Sequence, residues 1–348
     1  MNVATLIQRR PLPFVLGAGP LLVALVAGAM LAALCVGRYP LALADILRFL
    51  AASLGDGGQS LPQYETLYNL IVRIRLPRVL AAVMVGAALA TSGAAFQGVF
   101  RNPLVSPGLL GVLAGAAFGA ALGIVLGLPW LYVQGLSFVF GILAVAFGVG
   151  VAALFGNGSV VMMVLGGVIS GALFTSLLSM VKYVADPYNT LPAIVYWLMG
   201  SLAVADLGQV AALVVPMTLG IGGLIVLGRP LDALTMGDDE ARALGVPVRA
   251  IRYTIVALAT LISALTVSLA GIIGWVGLIV PHIARLLVGP CNSRLLPVSA
   301  ALGACFLLGA DAISRTLTTT EVPIGIVTEL IGIPAFLLVL ARARRGWL

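Results

Sequence analysis

An all-α polytopic membrane fold follows from three features of the sequence. Of its 348 residues 61% are hydrophobic and only 9% charged, with a mean hydropathy of +1.16, whereas soluble domains carry about 25% charged residues. The apolar residues gather in runs long enough to cross a bilayer as helices. Forty-two glycines, many inside those runs beside alanine and serine, suit helices that approach one another closely. Residues 1–348 are read as a single transmembrane domain of ten spans.

Taken in order, Arg9 and Arg10 precede a first span at 14–36, which is too long for the apolar region of a signal peptide. A mixed segment, 38–78, contains the Gly/Asp/Gln-rich turn 55–60 and lies outside. Spans follow at 79–99, 108–128, 133–155 and 160–181, joined by short breaks. Residues 182–206 turn mixed again, and their apolar piece with Tyr196 and Trp197 reads as a partly embedded external helix. A sixth span, 207–227, leads to the largest polar link, 229–252. Residues 252–314 hold three tightly connected spans, with breaks near Ala270 and at 290–294, and the last span is 324–340.

Ten spans place both termini on one side. That side holds Arg9, Arg10, Arg101, Arg229, Arg242, Arg249, Arg252, Arg285, Arg294, Arg342, Arg344 and Arg345, twelve of the nineteen basic residues. The positive-inside rule makes it the cytoplasm.

The link 229–252 is an island of charge that also has helix signals. Asp238, Asp239 and Glu240 follow Gly237, where acids favour a helix start; Arg242 stands at i+4 from Asp238; Gly245 and Pro247 supply a stop. Leu234, Ala241 and Leu244 fall near one face, an apolar edge for a soluble partner. The alternative is a solvated loop with one helical turn.

Several chemistries are excluded. The one lysine, Lys182, is followed by Tyr183, so no phosphate-binding loop ending in Lys-Ser/Thr exists, and any ATP is hydrolysed by another chain. One histidine, His282, and scattered Cys35, Cys291 and Cys305 make no metal-ligand set, and no catalytic residue or nucleophile motif is found. The formal charge of +7 is spread over membrane-flanking positions and does not form a nucleic-acid patch. A faint echo pairs Gly93 and Pro103 with Gly271 and Pro281, spaced alike 178 residues later.

From Arg75-Leu76-Pro77-Arg78 onward the chain resembles the FecCD family of ABC-transporter permeases. The matching stretches are that motif, Gly86 to Leu89 with Ser92-Gly93, Gln97-Gly98, Arg101-Asn102-Pro103-Leu104 and Pro107 to Gly111. They continue through Tyr196 to Ser201, Gly237 to Gly245, Val280 to Arg285, Gly309-Ala310-Asp311 and Pro323 to Thr328.

The resemblance implies ten spans and a homodimer with the substrate path between its copies. It further implies a bacterial inner-membrane location, two cytoplasmic ATP-binding subunits that carry ATP and Mg, and a periplasmic substrate-binding protein; the permease itself holds no cofactor. The island becomes the ATPase-coupling loop, with Gly237, Asp238, Asp239, Glu240, Ala241, Arg242, Leu244 and Gly245 at its centre. Arg75, Arg78 and Arg315 match positions that receive acids of the binding protein, while Arg315 could instead pair with Asp311 one turn earlier. The pathway is expected along the fifth and last spans, at Gly167, Ser170, Gly171, Thr175 and Glu329. The substrate is an iron-siderophore, haem or cobalamin, with molybdate or tungstate as an alternative. An ion-coupled transporter, with Asp311 and Glu329 as coupling acids, is the reading from another class.

Overall fold

The computed structural model describes residues 12–54, 64–156, 159–203 and 205–345; Arg9, Arg10 and the 55–60 turn lie outside them. Among the described residues every regular element is helical. The chain runs through α1 (Leu12–Cys35), α2 (Leu43–Leu54) and α3 (Tyr64–Tyr68), then continues unbroken into α4 (Leu76–Phe100). Next come α5 (Val112–Val125), α6 (Trp130–Gly156), α7 (Val160–Val184), the short α8 (Thr190–Leu198) and α9 (Leu207–Val226). The charged link folds as α10 (Gly228–Met236) and α11 (Asp238–Ala243); α12 (Val248–Ala270), α13 (Val276–Val288), α14 (Asn292–Thr316) and α15 (Ile324–Arg345) follow.

The α4 helix is the axis of the molecule. Within its apolar window 78% of residues are buried, against 11% for α1, so α1 is peripheral. Small residues at Gly86, Ala90, Gly93 and Ala94 recur at helical spacing and let neighbouring backbones in. The most extensive contact is with α14. A Cβ built on Gly86 would fall 2.2 Å from the Gly303 carbonyl oxygen, and one on Gly303 would fall 2.3 Å from that of Gly86.

Among the described residues seven helices are long and apolar enough to cross a bilayer: α1, the continuous α3–α4 helix, α6, α7, α9, α12 and α14. The apolar part of α15 is shorter. Two helices are shorter than the expected spans: α5 has 14 residues and α13 has 13, about 20 Å each against a hydrocarbon core of about 30 Å.

The shortening has a cause in each case. After Arg101 the chain turns back into the bundle, and the 107–110 turn packs against Gly167 while Gly111 meets Ser170. Ser170 is ten residues into α7, roughly 15 Å along it, so α5 starts part-way through. Gly111, at φ +86°, makes the reversal that a side chain would resist. On the other face residues 271–275 are non-helical, and α13 starts where Gly277 meets Gly93 and Pro107. Gln97 of α4 bridges this start: its Nε2 donates to the Gly277 and Leu278 carbonyls at 3.4 Å, and Arg285 donates to its Oε1 at 3.0 Å. Pro281 and His282 lie within α13, which runs from this start towards the end of the molecule that carries α10 and α11.

Candidate functional site: a charged ledge, an arginine clamp and an open helix face

The charged link is a folded ledge. Gly237, at φ 143°, breaks it into α10 and α11, and Gly245, at φ 79°, ends the second helix as its sequence predicts. Leu231, Leu234 and Ala241 are buried in the main apolar cluster. This corrects the expected apolar edge: Leu234 and Ala241 glue the ledge to the bundle, and Leu244 with Met236 is what faces outward. Asp239 and Glu240 are exposed beside Arg242, whose Nη1 lies 2.7 Å from Asp239. The expected Asp238–Arg242 pair is replaced by this one.

Asp238 turns inward instead. Its Oδ1 accepts from Arg252 at 2.6 Å and lies 3.6 Å from Arg101, which caps the end of α4 in a left-handed conformation. The hydrogen bond from Arg252, helped by the charges of Arg252, Arg101 and Arg242, outweighs partial burial and holds the Asp238 carboxyl below the usual carboxylate range. Asp232, which sequence reasoning passed over, fixes the other helix of the ledge. Its Oδ1 accepts from the Asn292 backbone N–H at 2.5 Å and from Asn292 Nδ2 at 2.9 Å, capping α14. No local signal marks it, since its partners are some 60 residues away. The ledge is thereby tied to α4, α12 and α14, the packed centre of the bundle.

About 35 Å along α4 stands a second charged cluster. Pro77 has no N–H to give the preceding turn, and residues Asn69–Arg75 are wound more widely there. Arg78 Nε lies 2.7 Å from Asp311 Oδ1 and its Nη1 lies 2.8 Å from Glu321. Arg315 Nε lies 3.0 Å from Asp311 Oδ2. Arg75 donates to the carbonyls of Leu34, Cys35 and Tyr39, and Arg315 to those of Ala33 and Val36, so the two satisfy the open end of α1. Arg75, Arg78 and Arg315 are only 3–6% exposed. The accessibility expected of them as docking groups is corrected: they are consumed inside the chain.

The expected pathway residues divide. Gly167 and Ser170 are buried; Gly167 faces the Leu109 carbonyl, and Ser170 Oγ donates to Ala144 at 2.6 Å, so both pack α7 against its neighbours. Gly171 is half-buried beside Gly111. Thr175 is exposed with Ala172, Ser176 and Ser179, a small and polar stripe at helical spacing. Ser176 and Ser179 donate to their own helix, at Ala172 and Thr175, and need no other acceptor. Glu329 is exposed on α15. The turn after α8 joins these elements: the Ile324 and Gly325 N–H groups donate to Gly200 and Met199, and Ser201 N–H donates to Ala270 at 2.8 Å. Among the described residues no cluster of three or more His, Cys, Asp or Glu could hold a metal.

A family model described as the FecCD transport family matches residues 23–342. The molybdate import system permease protein MolB of Haemophilus influenzae is 38% identical over 313 residues, 89% of this chain and 91% of that protein. The hemin transport system permease protein HmuU of Yersinia pestis is 37% identical over 288 residues, 80% of this chain and 85% of that protein. A solved structure described as an inward-facing, metal-chelate type ABC transporter is similar with a TM-score of 0.82 at 37% identity, covering 92% of this chain and 97% of that one.

Proposed function

The chain belongs to the FecCD transport family and is an ABC importer permease, and from that premise we propose that two copies form the substrate path of an inner-membrane importer whose ATP-binding subunits dock on the α10–α11 ledge. The observation that carries the docking is the ledge itself. Its inner face is locked to α4, α12 and α14 through Asp238 and Asp232, while Asp239, Glu240, Arg242 and Leu244 stay exposed. A rigid joint of this kind moves the bundle when its partner moves. ATP and Mg belong to that partner, and both termini and the ledge are cytoplasmic.

The path runs along the exposed Thr175 face of α7 and along α15 with Glu329, and a periplasmic binding protein delivers the substrate. An iron-siderophore, haem or cobalamin is the substrate class we favour. Molybdate is a second reading, supported by the extent of the similarity to MolB. Ion coupling has less support, because Asp311 is held between Arg78 and Arg315 and is not free to carry an ion.

The test is ATP hydrolysis in proteoliposomes holding the permease and its ATPase, with and without the binding protein. Stimulation by the binding protein should vanish in Asp239→Arg/Glu240→Arg; an ATPase that neither assembles with the wild-type chain nor responds to it ends the proposal. In the same vesicles, uptake of labelled chelate against labelled molybdate separates the substrate readings. Glu329→Gln should alter uptake without altering assembly, and unchanged uptake removes it from the path.

A further inference from the structure

The α15 helix is seated through one side. Gly325 lies against the carbonyls of Met199 and Ile272, Gly332 lies against Trp275, and the Phe336 ring meets that of Trp275 at 6.1 Å between centroids. These contacts hold α15 on the non-helical 271–275 segment and the start of α13. Another side of α15 carries Glu329, Leu330, Ile333 and Leu337, all exposed and spaced so that they share one helical face. Glu329 Oε1 would lie 3.8 Å from a Cβ built on Gly274, so the carboxylate stands beside the 271–275 segment. Among the described residues it makes no ion pair and no hydrogen bond.

The surrounding sequence supplies no opposite charge. Residues 159–181 and 324–341 contain no charged residue other than Glu329, and neither do 190–198 and 271–275. Arg342 is thirteen residues further on, about 20 Å along the helix. An unpaired acid some one and a half turns into an otherwise apolar helix is costly against hydrocarbon, and an acid so placed faces water or a partner. A water-filled path along α7 and α15 supplies that water, and Glu329 is then the one fixed charge these stretches give it, once per copy. An oxyanion is recognised by guanidinium or ammonium groups, and these stretches offer none. We propose that Glu329 is the charge selector of the path: it admits neutral or positively charged metal chelates and repels a small dianion such as molybdate. The inference rests on the path proposed along α7 and α15, and it decides between the two substrate classes by electrostatics.

Ile333 stands one turn beyond Glu329 on the same face and can report the local potential. Ile333→Cys would be made in a chain carrying Cys35→Ser, Cys291→Ser and Cys305→Ser, assembled with its ATPase in nanodiscs, where both membrane faces are open to solvent. Cationic and anionic methanethiosulfonates would be added at low salt, with and without ATP. A unit charge about 6 Å away in water shifts the two rates about threefold in opposite directions. The ratio of cationic to anionic rate, relative to that of a free thiol, should therefore be about tenfold with Glu329 present. Glu329→Gln should return the ratio to that of the free thiol, Glu329→Asp should keep most of the preference, and Glu329→Lys should reverse it. A thiol that reacts with the same ratio in the presence of Glu329 and of Glu329→Gln overturns the selector and leaves the path standing. A thiol that neither reagent reaches in the assembled complex puts this face away from water, and overturns the path together with the selector. On the chain with its own cysteines and Ile333, ATP-driven uptake of labelled molybdate with the binding protein overturns the substrate class whatever the thiol reports.

Discussion

The carboxylate of Asp232 on α10 caps α14 by accepting the backbone N–H of Asn292 at 2.5 Å. A helix start is normally capped by its own preceding residue, here Cys291, which makes no such bond to the helix. Asp232→Ala should therefore cost about 1–2 kcal/mol of stability and loosen the ledge. Thermal melting in detergent checks the first effect, and faster proteolysis between α10 and α12 checks the second.

The Asp238 carboxyl titrates below its ordinary range because Arg252 donates to it, with Arg101 and Arg242 adding charge. A depressed folded-state value means that its stabilisation is complete above the unfolded carboxylate value, about 4, and is lost as pH falls through the folded value. Wild type should accordingly exceed Asp238→Asn in stability by a constant margin near neutral pH, and the margin should close only below about pH 4. Parallel melts from pH 3 to 8 read this directly; a margin that closes near pH 6 would locate the effect in another group.

Gly93 has no room for a methyl group. A Cβ there would lie 1.9 Å from the Gly277 carbonyl oxygen, and backbone cannot rotate aside as a side chain can. Gly93→Ala should cost at least about 1–3 kcal/mol and disturb the start of α13. Gly309→Ala, on an exposed helical site with nothing within 4 Å, should be neutral or stabilising by about 0.4–1 kcal/mol. Comparing the two melts separates close approach from any general effect of adding a methyl group.

Arg78 and Asp311 form a buried pair at 2.7 Å, with side-chain exposures of 8% and 0%. Removing one partner strands the other charge, at a cost of about 3–5 kcal/mol. Arg78→Ala should therefore reduce the yield of folded permease, and Arg78→Ala/Asp311→Ala should recover part of it. A double variant no better than the single one would show that Glu321 and Arg315 carry the cluster.

The long helices were legible in the sequence because length and apolarity identify a span, and α1, α4, α6, α7, α9, α12 and α14 stand close to where the runs lie. The shortened α5 and α13 were not. Leu109 and Leu110 in the 107–110 turn, or Ile272 and Ile273 in the non-helical stretch, are as apolar as any residue of a long helix, and hydropathy cannot distinguish such breaks from a continuous span. The ledge was recognised by its charges and glycines, but which side of it faced the bundle depended on packing. In the sequence Arg75 and Arg315 read as docking groups for a binding protein. Their actual acceptors lie about 40 and 280 residues away, at the end of α1 and in the turn after it, beyond any local pattern.

The length of α13 bears on how the protein is made. Thirteen residues are too few to partition stably into a bilayer as an isolated segment, and its seat is assembled from Gly93, Gln97 and Pro107, all translated far earlier. The contacts that hold α13 are therefore supplied by residues already made when it emerges, and the cap that Asp232 gives α14 closes the bundle behind it. The seat of the last fifth of the chain is thus a template laid down by residues translated before it.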